Sequence, residues 1–253
     1  MVRKPIIAGN WKMYKTSSAA GDLVAELLRG LGNQKPAAEV VVAPPFTSIA
    51  SVVAASQGSC IQVSGQDLYW ADQGAFTGEV SGAMLKESGC SHVIVAHSER
   101  RQYFGETDET ANRKVEAAVR NNLIPIFCLG ETLEERKAGK TFDVISHQLI
   151  GGLGDVSLSD PALLVIAYEP VWAIGTGLTA TPEQAQEIHA FLRHELVKLL
   201  PKGFSEEVRI LYGGSVKPDN FRSLMDCEDI DGGLVGGASL KADDFLAIIR
   251  EGT

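Results

Sequence analysis

Short apolar, β-branched runs recur along this chain and alternate with segments of helical period, and that alternation limits the fold more than any other feature. The runs predict strands over 5–9, 39–43, 61–65, 92–96, 123–128, 163–168, 208–211 and 231–235. Between them the spacing predicts helices near 17–31, 46–57, 80–88, 106–121, 132–150, 182–200 and 217–226, with 241–251 last. Each helix returns the chain to the end of the sheet it left, so consecutive strands run parallel. Eight such units in 253 residues match the size of a closed (β/α)₈ barrel. An open doubly wound sheet is the other arrangement of such units, but it has no reason to stop at eight strands. It also lacks a G-x-G-x-x-G after the first strand. No linker, repeat or low-complexity tract divides the chain, so the expectation is one domain over 1–253. Ser17 and Ser18 are expected to cap the first helix. Thr181-Pro182-Glu183 places a capping hydroxyl, an N1 proline and an acidic first turn in order.

The net charge of −9 argues against a nucleic-acid partner, which requires a cationic surface. It leaves room for a small anionic substrate, because backbone N–H groups bind phosphate whatever the overall charge. No apolar run is long enough for a membrane span, and Met1 to Asn10 does not read as a secretory signal. Cys60, Cys90, Cys128 and Cys227 are widely spaced with no C-x-x-C pair, and are expected as free thiols in a cytoplasmic protein. Histidines 92, 97, 147, 189 and 194 form no ligand motif, so neither a metal nor a cofactor is expected.

In (β/α)₈ barrels chemistry sits at the C-terminal ends of the strands. The first strand ends in Gly9-Asn10-Trp11-Lys12, where an ammonium would enter the mouth, although a single lysine also fits a role snorkelling to solvent. The fourth ends in Ala96-His97-Ser98-Glu99. A helix start beside His97 lowers an imidazole's pKa and would leave a neutral hydrogen-bond donor, while a satisfied structural histidine explains the residue equally well. The sixth ends in Glu169, held extended by Pro170 and followed by apolar Val171, Trp172, Ala173 and Ile174, then Gly175, Thr176 and Gly177. That segment reads either as a lid that excludes water from a base or as a loop packed on the core. Gly213-Gly214-Ser215 and Gly236-Gly237 end the seventh and eighth strands, the corner where barrel enzymes often bind phosphate; two tight turns are the plainer reading. Together these groups suit proton abstraction beside a carbonyl of a small phosphorylated compound.

The segments GNWKM at 9–13, AHSERR at 96–101, CLGE at 128–131, YEPVWAIGTG at 168–177, YGGSV at 212–216 and LVGGASL at 234–240 closely resemble, in order, the motifs of the triosephosphate isomerase family. The resemblance implies a TIM barrel that interconverts dihydroxyacetone phosphate and D-glyceraldehyde 3-phosphate in glycolysis and gluconeogenesis, without a cofactor. This family is itself a standard illustration of tuned catalytic pKa values and of a gating loop. By position, the resemblance makes Glu169 the base, His97 the neutral electrophile and Lys12 the neutralising charge, with Asn10 touching substrate. Glu99 would pair with Lys12, and Ser98 would support His97. Gly175, Ser215, Gly236 and Gly237 would bind the phosphate, and 170–177 would be the lid. The stretch from Gln73 to Glu79, around Thr77, resembles a projecting loop that inserts into a partner subunit, which implies a homodimer. Tyr14 and Asp67 depart from the family pattern near that contact. Another phosphosugar isomerase or epimerase, or a catalytically silent phosphate-binding barrel, would share the scaffold. A Schiff-base aldolase would need an uncharged Lys12, to which the resemblance instead gives a carboxylate partner.

Overall fold

The computed structural model describes residues 3–33, 35–175 and 178–252. Eight parallel strands close into a barrel in sequence order: β1 (Ile6–Asn10), β2 (Glu39–Ala43), β3 (Ile61–Gly65), β4 (His92–Val95), β5 (Ile124–Leu129), β6 (Val165–Tyr168), β7 (Arg209–Tyr212) and β8 (Gly232–Val235). β8 pairs back onto β1 through Ile6↔Gly232, which closes the ring. Closure suits the sequence: most of the strands are buried and largely apolar on both faces, so an open edge would leave them poorly covered.

Successive side chains on a strand point to opposite sides. Ile6, Ala8, Val41, Ile94, Ile126, Val165 and Leu211 belong to a buried cluster drawn from strands alone, which therefore fills the barrel. Their alternates, such as Ile7, Val40, Val93, Val95 and Phe127, join the larger cluster that includes helix residues Leu27, Val115 and Leu192. Fully burying one such aliphatic side chain contributes about 1.5–3 kcal/mol. Four of the covering helices are α1 (Ser17–Leu31), α2 (Ile49–Ser56), α3 (Gly82–Glu87) and α4 (Ser98–Phe104). The rest are α5 (Asp108–Arg120), α6 (Leu133–Lys137), α7 (Thr141–Leu153), α8 (Pro182–Leu199), α9 (Phe221–Met225) and α10 (Ala242–Glu251).

Several expected elements change in detail. The helix expected over 132–150 breaks at Gly139, whose φ of 69° no helix accommodates, and becomes α6 and α7. α4 precedes the helix expected over 106–121, and of 217–226 only α9 is helical. Ser17 and Ser18 do not cap α1: Thr16 holds the N-cap position, and the Ser17 hydroxyl donates to the Thr47 carbonyl instead. The Thr181 cap forms as expected, with the hydroxyl accepting Gln184 N–H at 3.3 Å and the Gln184 side chain accepting Thr181 N–H at 3.1 Å. All four cysteines are free. Among the described residues, no helix is long and apolar enough to cross a membrane.

Candidate active site

Asn10 ends β1 on the same side as Ile6 and Ala8, and so faces the mouth of the barrel. Its Oδ1 accepts the Lys12 N–H at 3.0 Å, and the Gln66 side chain donates to the Lys12 carbonyl at 2.8 Å. These two bonds hold Lys12 at a φ of 50°, a conformation costly for a residue with a Cβ. The Lys12 ammonium lies 2.6 Å from Glu99 Oε1, the pairing that the resemblance implied.

His97 caps α4. Its Nδ1 accepts the Glu99 N–H at 3.2 Å, which leaves the ring proton on Nε2. Nε2 faces Glu169 Oε1 at 3.0 Å, and Ser98 N–H donates to Glu169 Oε2 at 2.8 Å. Ser98 thus bonds through its backbone to Glu169. Burial opposes charge on both groups. The Glu169 carboxylate outweighs burial at His97 and raises the ring's pKa above its usual value. At Glu169 burial is outweighed in turn by the His97 ring and the Ser98 N–H, which lower the carboxyl's. The lowered imidazole pKa expected from the helix start is therefore overridden while Glu169 rests on Nε2.

Glu169 follows Val165 and Ala167 on the inner side of β6 and is only 1 % exposed. Its N–H donates to the Leu129 carbonyl at 2.8 Å. A Cβ on Gly130 would fall 1.7 Å from the Glu169 carbonyl oxygen, and one on Gly213 would fall 2.9 Å from Glu169 Cγ. Glu169 is therefore packed at its backbone by Gly130 and at its side-chain stem by Gly213, just past the ends of the two neighbouring strands. Gly130→Ala is expected to destabilise the fold by about 3 kcal/mol or more through overpacking. It should also lower kcat by displacing Glu169. Thermal melting and steady-state kinetics check both, and an unchanged Tm would contradict this account of the contact.

The apolar segment after Glu169 is packed. Val171–Ala173 forms one 3₁₀ turn, Ala173 is fully buried and Ile174 lines the cleft beside Glu169. Trp172 Nε1 donates to Glu131 at 2.8 Å, the Tyr168 hydroxyl reaches the same carboxylate at 3.1 Å, and Arg136 pairs with it at 3.1 Å. The Arg136 guanidinium also lies 4.5 Å over the Trp172 ring. Glu131, completely buried, is thus the anchor of the segment. It ends the CLGE segment, where nothing local in the sequence distinguishes it from a surface carboxylate. Thr176 and Gly177, the end of the expected lid, lie outside the described residues.

Asn10, Lys12, His97 and Glu169 share one cleft of about 700 Å³ with Gly175, Ser215, Gly236 and Gly237. Gly236 packs next to Lys12, with its Cβ position 3.5 Å from Lys12 Cε, so the glycine corner adjoins the ammonium. Gly237 opens a 3₁₀ turn over Gly237–Leu240. Lys217 and Lys241 also line the cleft and were not singled out from sequence, since isolated lysines carry no local signal. Of the expected residues, Asn10, Lys12, His97, Glu169, Ile174, Gly175, Ser215, Gly236 and Gly237 line this cleft, whereas Ser98, Val171 and Trp172 line a separate cavity that also borders Glu169. An acid–base pair, an ammonium and a glycine-lined anion corner in one pocket suit enolisation of a phosphorylated carbonyl compound.

The family profile described as triosephosphate isomerase matches residues 5–252. The chain belongs to that family. It is similar to the triosephosphate isomerase of Geobacter metallireducens, at 57 % identity over 98 % of this chain and 99 % of the relative. That of Moorella thermoacetica is 56 % identical, with the same coverage. The crystal structure of triosephosphate isomerase from Bartonella henselae superposes with a TM-score of 0.89 at 41 % identity, covering 98 % of each chain. Of the two departures from the triosephosphate isomerase pattern, Tyr14 is exposed. Asp67 is buried between Lys114 at 2.6 Å and Arg100 at 2.8 Å, which answers its charge.

Proposed function

We propose that Glu169, His97 and Lys12 carry out the isomerase reaction of this chain. That reaction interconverts dihydroxyacetone phosphate and D-glyceraldehyde 3-phosphate. The Glu169 carboxylate takes a proton from the carbon beside the carbonyl. The electron pair left behind forms the enediolate, whose charge falls on oxygen, and the same proton returns to the neighbouring carbon. His97 gives its Nε2 proton to the oxyanion and takes the proton of the neighbouring hydroxyl, so that the carbonyl moves to the adjacent carbon, and the Lys12 ammonium lowers the energy of the anionic oxygen. Asn10 contacts the substrate, and backbone N–H groups of Gly175, Ser215, Gly236 and Gly237 hold its phosphate. The observation that carries this reading is the 3.0 Å contact of the buried Glu169 carboxylate with His97 in the cleft that also holds Lys12. A coupled isomerase assay in both directions is expected to show turnover with each triose phosphate; absence of turnover with both would defeat it.

To act, the carboxylate must leave His97 and Ser98 and swing toward the substrate. Once it does, the chief group that raises the His97 pKa is gone, and burial with the Lys12 charge nearby moves the ring toward neutrality against the weaker pull of Glu99. Glu169→Gln imitates that state. NMR titration of the His97 ring is expected to give a lower pKa in Glu169→Gln than in the parent; an equal or higher value contradicts the assignment.

The whole chain acts as a single catalytic domain and works as a homodimer in the cytoplasm. Residues 72–79 are exposed, with Phe76 42 % accessible, and Met13 in the first loop is 93 % accessible, apolar surface that suits burial in a second copy. The four free thiols are compatible with a reducing compartment.

A further inference from the structure

The direction in which His97 points is not what its strand dictates. Ile94 lies inside the barrel, and Val93 and Val95 lie on the helix-facing side. Continued alternation would aim residue 96 at the mouth and His97 away from it. Instead Ala96 adopts a φ of 60°, and its methyl group joins the outer cluster with Val93 and Val95. The reversal at this one residue turns His97 into the cleft. Left-handed backbone is costly for alanine and persists only where the surroundings over-determine it.

Here both polar groups of Ala96 are held by charged side chains. Its N–H donates to Glu106 Oε1 at 3.2 Å, and its carbonyl accepts Arg101 Nε at 3.1 Å. Each clamp is itself anchored. Glu106 Oε2 lies 2.8 Å from Arg100 Nε and 3.2 Å from Lys114 Nζ, and Arg101 Nη1 lies 2.5 Å from Asp108 Oδ1. Glu106 is buried, so its charge cannot turn to water and its geometry is fixed by these partners.

We propose that Glu106 and Arg101 are positioning residues that clamp Ala96 in its left-handed conformation and thereby aim His97 at the substrate. The consequence for catalysis rests on the role of His97 given above. Removing either clamp lets Ala96 relax toward ordinary backbone and rotates the imidazole off line, a misplacement that lowers kcat by about ten- to a hundredfold. KM changes little, because the phosphate corner is untouched.

The distinguishing experiment combines each loss with Ala96→Gly, since glycine adopts positive φ without a clamp. Arg101→Met and Glu106→Met are each compared with the parent by kcat, KM and the NMR signals of the His97 ring nitrogens, on protein of verified fold and oligomeric state. Both variants are expected to shift the ring signals and lower kcat. Ala96→Gly is expected to restore most of each loss, and by itself to leave kcat within about twofold of the parent. If Glu106→Met does not fold, because Arg100 and Lys114 then share Asp67 as their one remaining counter-charge, the Arg101→Met pair carries the same test. Ring signals that do not move, or that move and are not restored by Ala96→Gly, overturn the clamp. Signals that move and return while kcat stays constant uphold the clamp and overturn the catalytic role of His97.

Discussion

Glu169→Asp is expected to fold as the parent chain does and to turn over about 10²-fold more slowly. Shortening the side chain draws the carboxylate back by about 1 Å, and a misplacement of that size costs a rate factor of that order. The backbone cannot advance to compensate. Glu169 N–H is bonded to the Leu129 carbonyl at 2.8 Å, and its own carbonyl abuts Gly130. KM should stay close to the parent value, because proton transfer in the transition state, rather than substrate binding, feels the gap. Steady-state kinetics on folded protein decide it, and near-parent turnover would remove Glu169 as the base.

Deleting Val171–Ile174 is expected to have an effect of another kind. An enediolate with a neighbouring phosphate can expel that phosphate when its C–O bond turns into line with the π-system. In the proposed mechanism the grip of the glycine corner opposes that geometry, and the apolar segment keeps water from the intermediate. Isomerisation should fall by about 10²-fold or more, as the base loses its neighbouring wall. The share of turnovers ending in methylglyoxal and inorganic phosphate should rise. The Trp172–Glu131–Arg136 anchor gives the segment a defined seat, so Glu131→Gln should move the same ratio, in the same direction but less. Product ratios measured by phosphate release against isomerisation test both variants. An unchanged ratio in the deletion would leave the segment a role in binding alone.

The chain sequence by itself determined the alternation of elements and hence the closed barrel. Apolar runs of strand length and amphipathic helices of crossover length leave a parallel sheet little alternative, and strands largely apolar on both faces favour closure over an open edge. It also located the strand ends, and with them Asn10, Lys12, Glu169 and the paired glycines, because alternation carries Asn10 and Glu169 onto the inner side without interruption. The Thr181 cap was legible for the same reason: its hydrogen bonds are local.

What required the tertiary structure depends on contacts between residues far apart in the chain. Alternation alone would turn His97 away from the mouth, and only the positive φ of Ala96, held by Glu106 and Arg101, reverses it. The upward shift of the His97 pKa comes from a carboxylate 72 positions later, which outweighs the local effect of the helix start. Glu131 reads in sequence as an ordinary acid, yet it becomes a fully buried anchor because Tyr168, Trp172 and Arg136 converge on it from other segments. Periodicity records which way a side chain leaves a regular element. It does not record a single strained residue that breaks the element, nor the distant charges that make the break stable.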